Sequence, residues 1–263
     1  MDLGLKDRVA LVAASSQGLG KAVARGLARE GAKLALCSRN AAALEATAEE
    51  IRRETQADVM ALPVDVTDEK KVRAFVDQAN ARFGRVDICV TNAGGPPAKT
   101  FEATTVDDWR RAIELNLMST LFLARDVLPG MKAQGWGRLV TITSLTVKQP
   151  VDGLILSNSV RAAVAGLVKS LSNEYAAHNV LVNNVCPGYT ATDRLGELSS
   201  ALAKASGMAP AEIEKRWTGQ IPLGRLARPE EFADVVVFLC SERASYITGQ
   251  SIAIDGGFAK GLL

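Results

Sequence analysis

The stretch Ala13 to Gly20 reads AASSQGLG and leads directly into KAVARGLAREG, so a turn of small residues joins an apolar run to an amphipathic one. Gly18 and Gly20 allow a backbone to approach a bulky anion closely. A helix that starts there presents unbonded N–H groups and the positive end of its dipole. Ser15 and Ser16 add hydroxyl donors, with Ala14 and Leu19 completing the turn, and the chemistry that suits is the cradling of a diphosphate. Further on, Cys37-Ser38-Arg39-Asn40 follows the second apolar run and contains no acid. At that place in a dinucleotide fold a carboxylate takes the adenosine ribose hydroxyls, whereas an Arg accommodates a 2′-phosphate. A guanidinium fork meets phosphate charge well. Arg39 therefore favours NADP(H) over NAD(H), against the plainer reading of a solvated Arg opening a helix.

Such a turn works only if regular elements hold it. Apolar runs of strand length recur at 9–14, 34–37, 59–64, 86–91, 138–143, 180–185 and 251–254. They are continuous rather than alternating, as expected for strands covered on both faces. Amphipathic stretches of helical length lie between them, among them 21–31 and 69–84, each ending on a Gly. The β-α alternation predicts an α/β, Rossmann-like, doubly wound parallel seven-stranded sheet with helices on both faces, and ligands at the carboxyl ends of the strands. No linker or repeat divides the chain, so residues 1–263 read as one domain. The exception to the pattern is 190–222, dense in Ala, Ser and Gly with a weak helical signal, which reads as a lid or as a surface insertion.

Composition narrows the function. With 263 residues, 48% hydrophobic and 23% charged, the chain can bury a large core. The net charge of +2 is spread over small basic pairs interleaved with carboxylates, which argues against a nucleic-acid partner. No run of apolar residues is long enough to span a membrane, and residues 1–20 lack the pattern of a secretory signal, so a cytoplasmic protein is expected. Cys37, Cys89, Cys186 and Cys240 stand singly and read as buried free thiols. His178 is the only histidine, which removes a His-ligated metal centre and a Ser-His triad from consideration.

Taken together the motifs resemble the short-chain dehydrogenase/reductases over essentially the whole chain. The turn at 13–20 resembles that family's Thr-Gly-x-x-x-Gly-x-Gly, with Ala13 and Ala14 replacing the first Thr and Gly. The resemblance implies that Asp65 and Val66 contact the adenine and that Asn92, Ala93 and Gly94 end strand four beside the cofactor. It gives Asn116 a catalytic water, makes Ser144 the catalytic serine, and sets Pro187, Gly188 and Thr192 at the nicotinamide carboxamide. The tail at 221–257 resembles 3-oxoacyl-carrier-protein reductases and bacterial sugar or alcohol dehydrogenases. The implied reaction interconverts a carbonyl and a secondary alcohol with NADP(H), in a homotetramer or, as the smaller alternative, a homodimer. Small residues Ala162, Ala163, Ala165, Gly166 and Ser170 on the helix at about 158–177 are the implied contact, with packing against the sheet as the alternative.

One departure bears on the chemistry. Where the family has Tyr-x-x-x-Lys, this chain has Ser157 and Arg161. Ser157 is too short and too weak an acid to protonate an alkoxide, and Arg161 remains a fixed cation. Four residues apart, the two share a helix face, flanking an apolar stripe of Val160, Val164, Leu167 and Leu171. Arg161 could still bond the nicotinamide ribose or polarise a substrate oxygen. Three outcomes follow: an enzyme with another proton donor, for which Lys148 and Tyr189 are the nearest candidates; a dehydrogenase for an anionic substrate clamped by Arg161; or an NADP(H)-binding sensor or partner subunit without turnover. Arg194, Lys204, Lys215 and Arg216 in the 190–222 region also suggest an anionic substrate.

Overall fold

The computed structural model describes residues 1–262. Its seven strands are β1 (Val9–Ala13), β2 (Lys33–Ser38), β3 (Val59–Pro63), β4 (Ile88–Thr91), β5 (Gly137–Ile142), β6 (Val180–Pro187) and β7 (Ser251–Ile254). All pair in parallel in one sheet of order β3-β2-β1-β4-β5-β6-β7, so the predicted runs and the doubly wound arrangement are both present. The continuous apolar strands follow from the two helical layers. On one face α1 (Gly18–Arg29), α2 (Ala41–Thr55) and α9 (Pro229–Leu239) bury Leu27, Leu44, Ile51 and Phe232 against the sheet. On the other, α3 (Glu69–Phe83), α5 (Ser119–Ala133) and α6 (Ile155–Tyr175) bury Phe75, Leu123, Val164 and Val168. Burying a Leu or Phe side chain stabilises by about 1.5–3 kcal/mol, so the two layers hold the sheet rigid beneath the loops at its carboxyl edge.

The order in which strands are added to the sheet reverses between β1 and β4, and in sheets of this kind a crevice opens at the carboxyl ends of such a pair. Between β4 and α5 lie α4 (Val106–Ile113) and a single wider π-type turn, Glu114–Met118. The region 190–222, expected to be irregular, forms two helices, α7 (Asp193–Ser206) and α8 (Pro210–Gln220). Thr192 caps α7 and Gly207, at φ 69°, ends it. Ala203, Ile213 and Trp217 form a small separate core there, with Leu195, Leu198 and Leu202 packed on it. The abundance of Ala that made this region look featureless is itself helix-favouring, and tertiary packing supplies the remainder.

Candidate active site

Gly18 opens α1 at φ 56°, preceded by Gln17, which makes no side-chain cap bond, and the first turn holds no acid. In α2, α3 and α4, by contrast, Asn40, Asp68 and Thr105 each accept from the first-turn N–H groups. The N-terminus of α1 is thus the one of these four whose donors are left for an anion. Gly20 lies beneath the turn: a Cβ there would come within 2.3 Å of the Ala14 carbonyl oxygen, which in turn accepts from Asn92 Nδ2 at 3.4 Å. Only glycine permits this closeness of helix, strand and neighbouring loop.

A cleft of about 930 Å³ opens above the turn. Ala14, Ser16, Gly18 and Leu19 line one wall, Arg39 stands past β2, Asp65 and Val66 past β3, and Asn92, Ala93 and Gly94 past β4, with Thr192 opposite. Of the residues read as phosphate or cofactor contacts, Gly20, Arg161, Pro187 and Gly188 lie outside this lining, and so does Ser15. It is buried, its hydroxyl bonded to the Cys37 carbonyl at 3.4 Å, so it braces β1 against β2 rather than facing the cleft. Arg39 is exposed at the rim, close enough to Asp65 for its charge to be felt there. Burial opposes ionisation of Asp65, but bonds from Thr67 N and Thr67 Oγ1 and the nearby Arg39 and Lys71 hold its carboxyl below the usual range. The glycines, the bare helix terminus, the cleft's volume and the rim cation together fit a dinucleotide phosphate backbone.

The catalytic candidates lie beyond this cleft, along the carboxyl edge of the sheet. Thr91 pairs with Thr141, and Thr141 with Asn184. The ladders end just beyond this level, so Gly94 and Ser144 lie in the loops that follow β4 and β5, while Pro187 closes β6 opposite Ile254. Ser144 Oγ accepts from Thr146 N at 3.2 Å and stays partly accessible. Gly188 donates its N–H to Ile254 O at 2.9 Å, and a Cβ on it would meet Asp255 Cα at 2.6 Å, so glycine is needed where β6 leaves the sheet beside β7.

Asn116 sits in the π-type turn, its Nδ2 donating to Ala112 O at 3.1 Å while its buried Oδ1 has no partner. Turns of this kind interrupt helices mostly where a site needs an altered backbone. Nothing in ELNLM marked it beforehand, since the wider turn depends on packing against α6.

Ser157 and Arg161 do not flank the buried stripe of α6 but belong to it. The buried line is Ser157, Val160, Arg161, Val164, Val168 and Ser172, while Leu167 and Leu171 are only half-buried. Ser157 Oγ and Thr146 Oγ1 share a hydrogen bond of 3.1 Å. Arg161 Nη1 donates to Ile142 O at 2.9 Å, and Nε is buried without a partner. Burial pulls the guanidinium down to about 10, the Cys186 thiol opposing this, so at neutral pH it remains charged. Sequence reasoning missed both Thr146 and the Ile142 carbonyl as the groups that fix this pair, because no spacing rule announces a contact between a strand end and a later helix.

The two alternative proton donors part ways. Tyr189 stacks on Trp217, ring centroids 5.0 Å apart, and meets Phe258 edge-on, and burial pushes its phenol up, making it a poorer acid. Lys148 lies on the turn after Ser144, partly exposed, with its charge reaching the Cys186 thiol. The four cysteines are free and buried, and burial raises Cys37 and Cys240 to about 12. Of the four cations in 190–222, Arg194 alone lines the cleft. Its Nη2 donates to the carbonyls of Gly95 and Pro96, each at 3.5 Å, whereas Lys204, Lys215 and Arg216 face solvent. No helix among the described residues is long and apolar enough to cross a membrane.

Known proteins share this arrangement. The family profile described as enoyl-(acyl carrier protein) reductase matches residues 13–259. A 3-oxoacyl-(acyl-carrier-protein) reductase of Aquifex aeolicus is 35% identical over 98% of this chain and 99% of its own length. The cis-4-hydroxycyclohexanecarboxylate dehydrogenase of Sinomonas cyclohexanicum is 35% identical over 96% of each. Among solved structures, L-sorbose reductase from Gluconobacter frateurii, complexed with NADPH and L-sorbose, superposes with a TM-score of 0.94 at 34% identity, covering 100% of both chains. With a family profile over nearly the whole chain and relatives at 35% identity over almost all of it, the chain belongs to the short-chain dehydrogenase/reductase family and is an oxidoreductase acting on alcohol and carbonyl groups.

Proposed function

We propose that the protein is a single-domain NADP(H)-dependent reductase or dehydrogenase, similar to 3-oxoacyl reductases, that interconverts a small carbonyl compound and its secondary alcohol. The observation that carries this reading is a cleft at the carboxyl edge of the sheet lined by the bare α1 terminus, Arg39 and Gly94, with Ser144 following β5 and Pro187 ending β6 on the same edge. The nicotinamide supplies or accepts the hydride when bound. The α1 N–H groups and Ser16 hold the diphosphate, and Arg39 meets the 2′-phosphate with a charge-assisted fork. Asp65 and Val66 border the adenine; Asn92, Ala93, Gly94, Pro187, Gly188 and Thr192 border the ring end. Ser144 orients the substrate oxygen, with Asn116 holding a water behind it. The proton comes from Lys148, since Tyr189 is engaged in its aromatic cluster and shifted away from acidity.

Assembly as a homotetramer, or a homodimer at the least, is part of the proposal. Ala162, Ala163, Gly166 and Ser170 lie exposed on α6 instead of packing on the sheet, while Ala165 is half-buried.

A second reading, an NADP(H)-binding subunit without turnover, draws on the Ser157–Thr146 hydroxyl pair, which puts no titratable acid where the family has its tyrosine. Following the nicotinamide absorbance with a panel of oxo acids, oxo esters and ketoses separates the two. Turnover removed at least a hundredfold by Ser144→Ala supports the enzyme. Saturable NADPH binding without turnover on any of the panel supports the subunit, and no binding of either pyridine nucleotide ends both.

A further inference from the structure

Among the described residues, Arg39 and Arg194 are the two Lys or Arg side chains that line the cleft, and they stand at different places in it. Arg39 follows β2 at the rim, whereas Arg194 comes from the first turn of α7 and reaches the loop after β4. A dinucleotide phosphorylated on its 2′-hydroxyl also carries negative charge at two places, the 2′-phosphate and the diphosphate. Arg39 answers the first. At the second, the α1 N–H groups and the Ser16 hydroxyl are all uncharged donors, and the nearest cation on that helix, Lys21, is held by Glu50 at 2.6 Å, outside the lining. The α1 side of the cleft therefore offers the diphosphate no cation.

Arg194 is placed to supply one. Thr192, the cap of α7, touches the opening of α1: a Cβ on Gly18 would lie 3.7 Å from its methyl carbon. Two residues later the Arg194 guanidinium lies over Gly95, with Nη2 3.7 Å from where a Cβ on that glycine would stand. Arg194 thus leaves the chain beside the α1 opening and ends on the loop after β4, bridging the crevice that a dinucleotide crosses in sheets of this order. Its bonds there are weak. Nη2 meets the Gly95 and Pro96 carbonyls at 3.5 Å each, and Nη1 meets Glu197 at 3.4 Å, all near the long limit. Both partners of that ion pair are more than half exposed, where such pairs contribute little. Phosphate oxygens, with full charge and a geometry that suits the guanidinium fork, are better partners.

We propose that Arg194 is a cofactor-binding residue that takes the diphosphate from the side opposite α1 and so ties the first turn of α7 onto the bound dinucleotide. This rests on the NADP(H)-dependent reading above. It also assigns the Arg194 charge to the cofactor and not to an anionic substrate.

Titration calorimetry with NADPH and with 2′-phospho-ADP-ribose, which is NADP without its nicotinamide, tests the assignment. Arg194→Gln should weaken both ligands by the same factor, about tenfold. The gap between parent and variant should narrow as sodium chloride is raised. Arg194→Lys should recover roughly threefold of the loss, since it restores the charge without the fork. Unchanged affinities in Arg194→Gln overturn the proposal, as expected of a residue that meets only substrate. A loss that salt does not diminish marks a brace for the loop after β4 and overturns it too, and a loss with NADPH alone moves Arg194 to the nicotinamide with the same result. If the parent protein binds neither NADPH nor NADH, the oxidoreductase reading falls; cofactor binding indifferent to Arg194→Gln sinks this inference alone.

Discussion

Around the start of α1 the candidate site presents mainly backbone, and around Ser144, beyond the cleft, it presents side chains. The first end needs N–H groups, a glycine where a Cβ would come within 2.3 Å of a carbonyl, and one exposed guanidinium at the rim. Substitution there leaves the construction intact: Ala13 and Ala14 replace a family Thr and Gly, and Ala14 adopts φ 48° regardless. At the second end the identity of each side chain is the chemistry. Ser157 and Arg161 are both buried on an uninterrupted α6, yet they exchange a tunable acid for a hydroxyl and a fixed charge. Binding geometry thus outlasts sequence change more readily than proton transfer does.

Restoring the side chains should show the largest effect. Ser157→Tyr with Arg161→Lys is expected to raise carbonyl reduction roughly 10²- to 10⁴-fold, the usual contribution of a positioned general acid. Turnover is the readout, with NADPH affinity as the control. A double variant that binds NADPH as the parent does but gains no rate on any carbonyl would mean that the two ends are not joined as described.

Damage to the backbone end ranks next. Gly20→Val forces a Cβ to within 2.3 Å of the Ala14 carbonyl oxygen and adds two methyl groups beside it, so NADPH affinity should fall about 100-fold by fluorescence titration, reflecting about 3 kcal/mol of overpacking. Undiminished binding would show that the turn can open without cost. Arg39→Ala should weaken NADPH about tenfold and leave NADH unchanged, a modest value because the side chain is exposed and solvent screens it. Equal losses for the two nucleotides would remove Arg39 from the 2′-phosphate.

This same contrast decided what could be read from sequence. The strand runs, Gly18 and Gly20, and the helix ends at Gly31 and Gly84 were legible because backbone requirements leave local signatures. The placement of Arg161 against Ile142 O, the turn holding Asn116, and the inward-facing Ser15 were not, since each depends on a contact between segments far apart in the chain. The α7–α8 pair occupies the middle ground. Leu195, Leu198 and Leu202 keep helical spacing, but among so much Ala and Ser the pattern gains weight only once Trp217 packs beside them.

The smallest effect concerns the one residue where the backbone end itself carries strain. Ala14 holds a left-handed conformation that costs a residue with a Cβ about 1–2 kcal/mol, whereas glycine bears no such penalty. Glycine also frees the unfolded chain, offsetting about 0.5–1 kcal/mol of that gain. Ala14→Gly should therefore stabilise by about 0.5–1 kcal/mol and raise the thermal midpoint by about 2 °C in a chain of this size. NADPH affinity should hold or rise slightly, because the loop already has the shape that glycine prefers. A lowered midpoint with intact binding would show that the methyl group's packing outweighs the strain, and that this end too depends on a side chain.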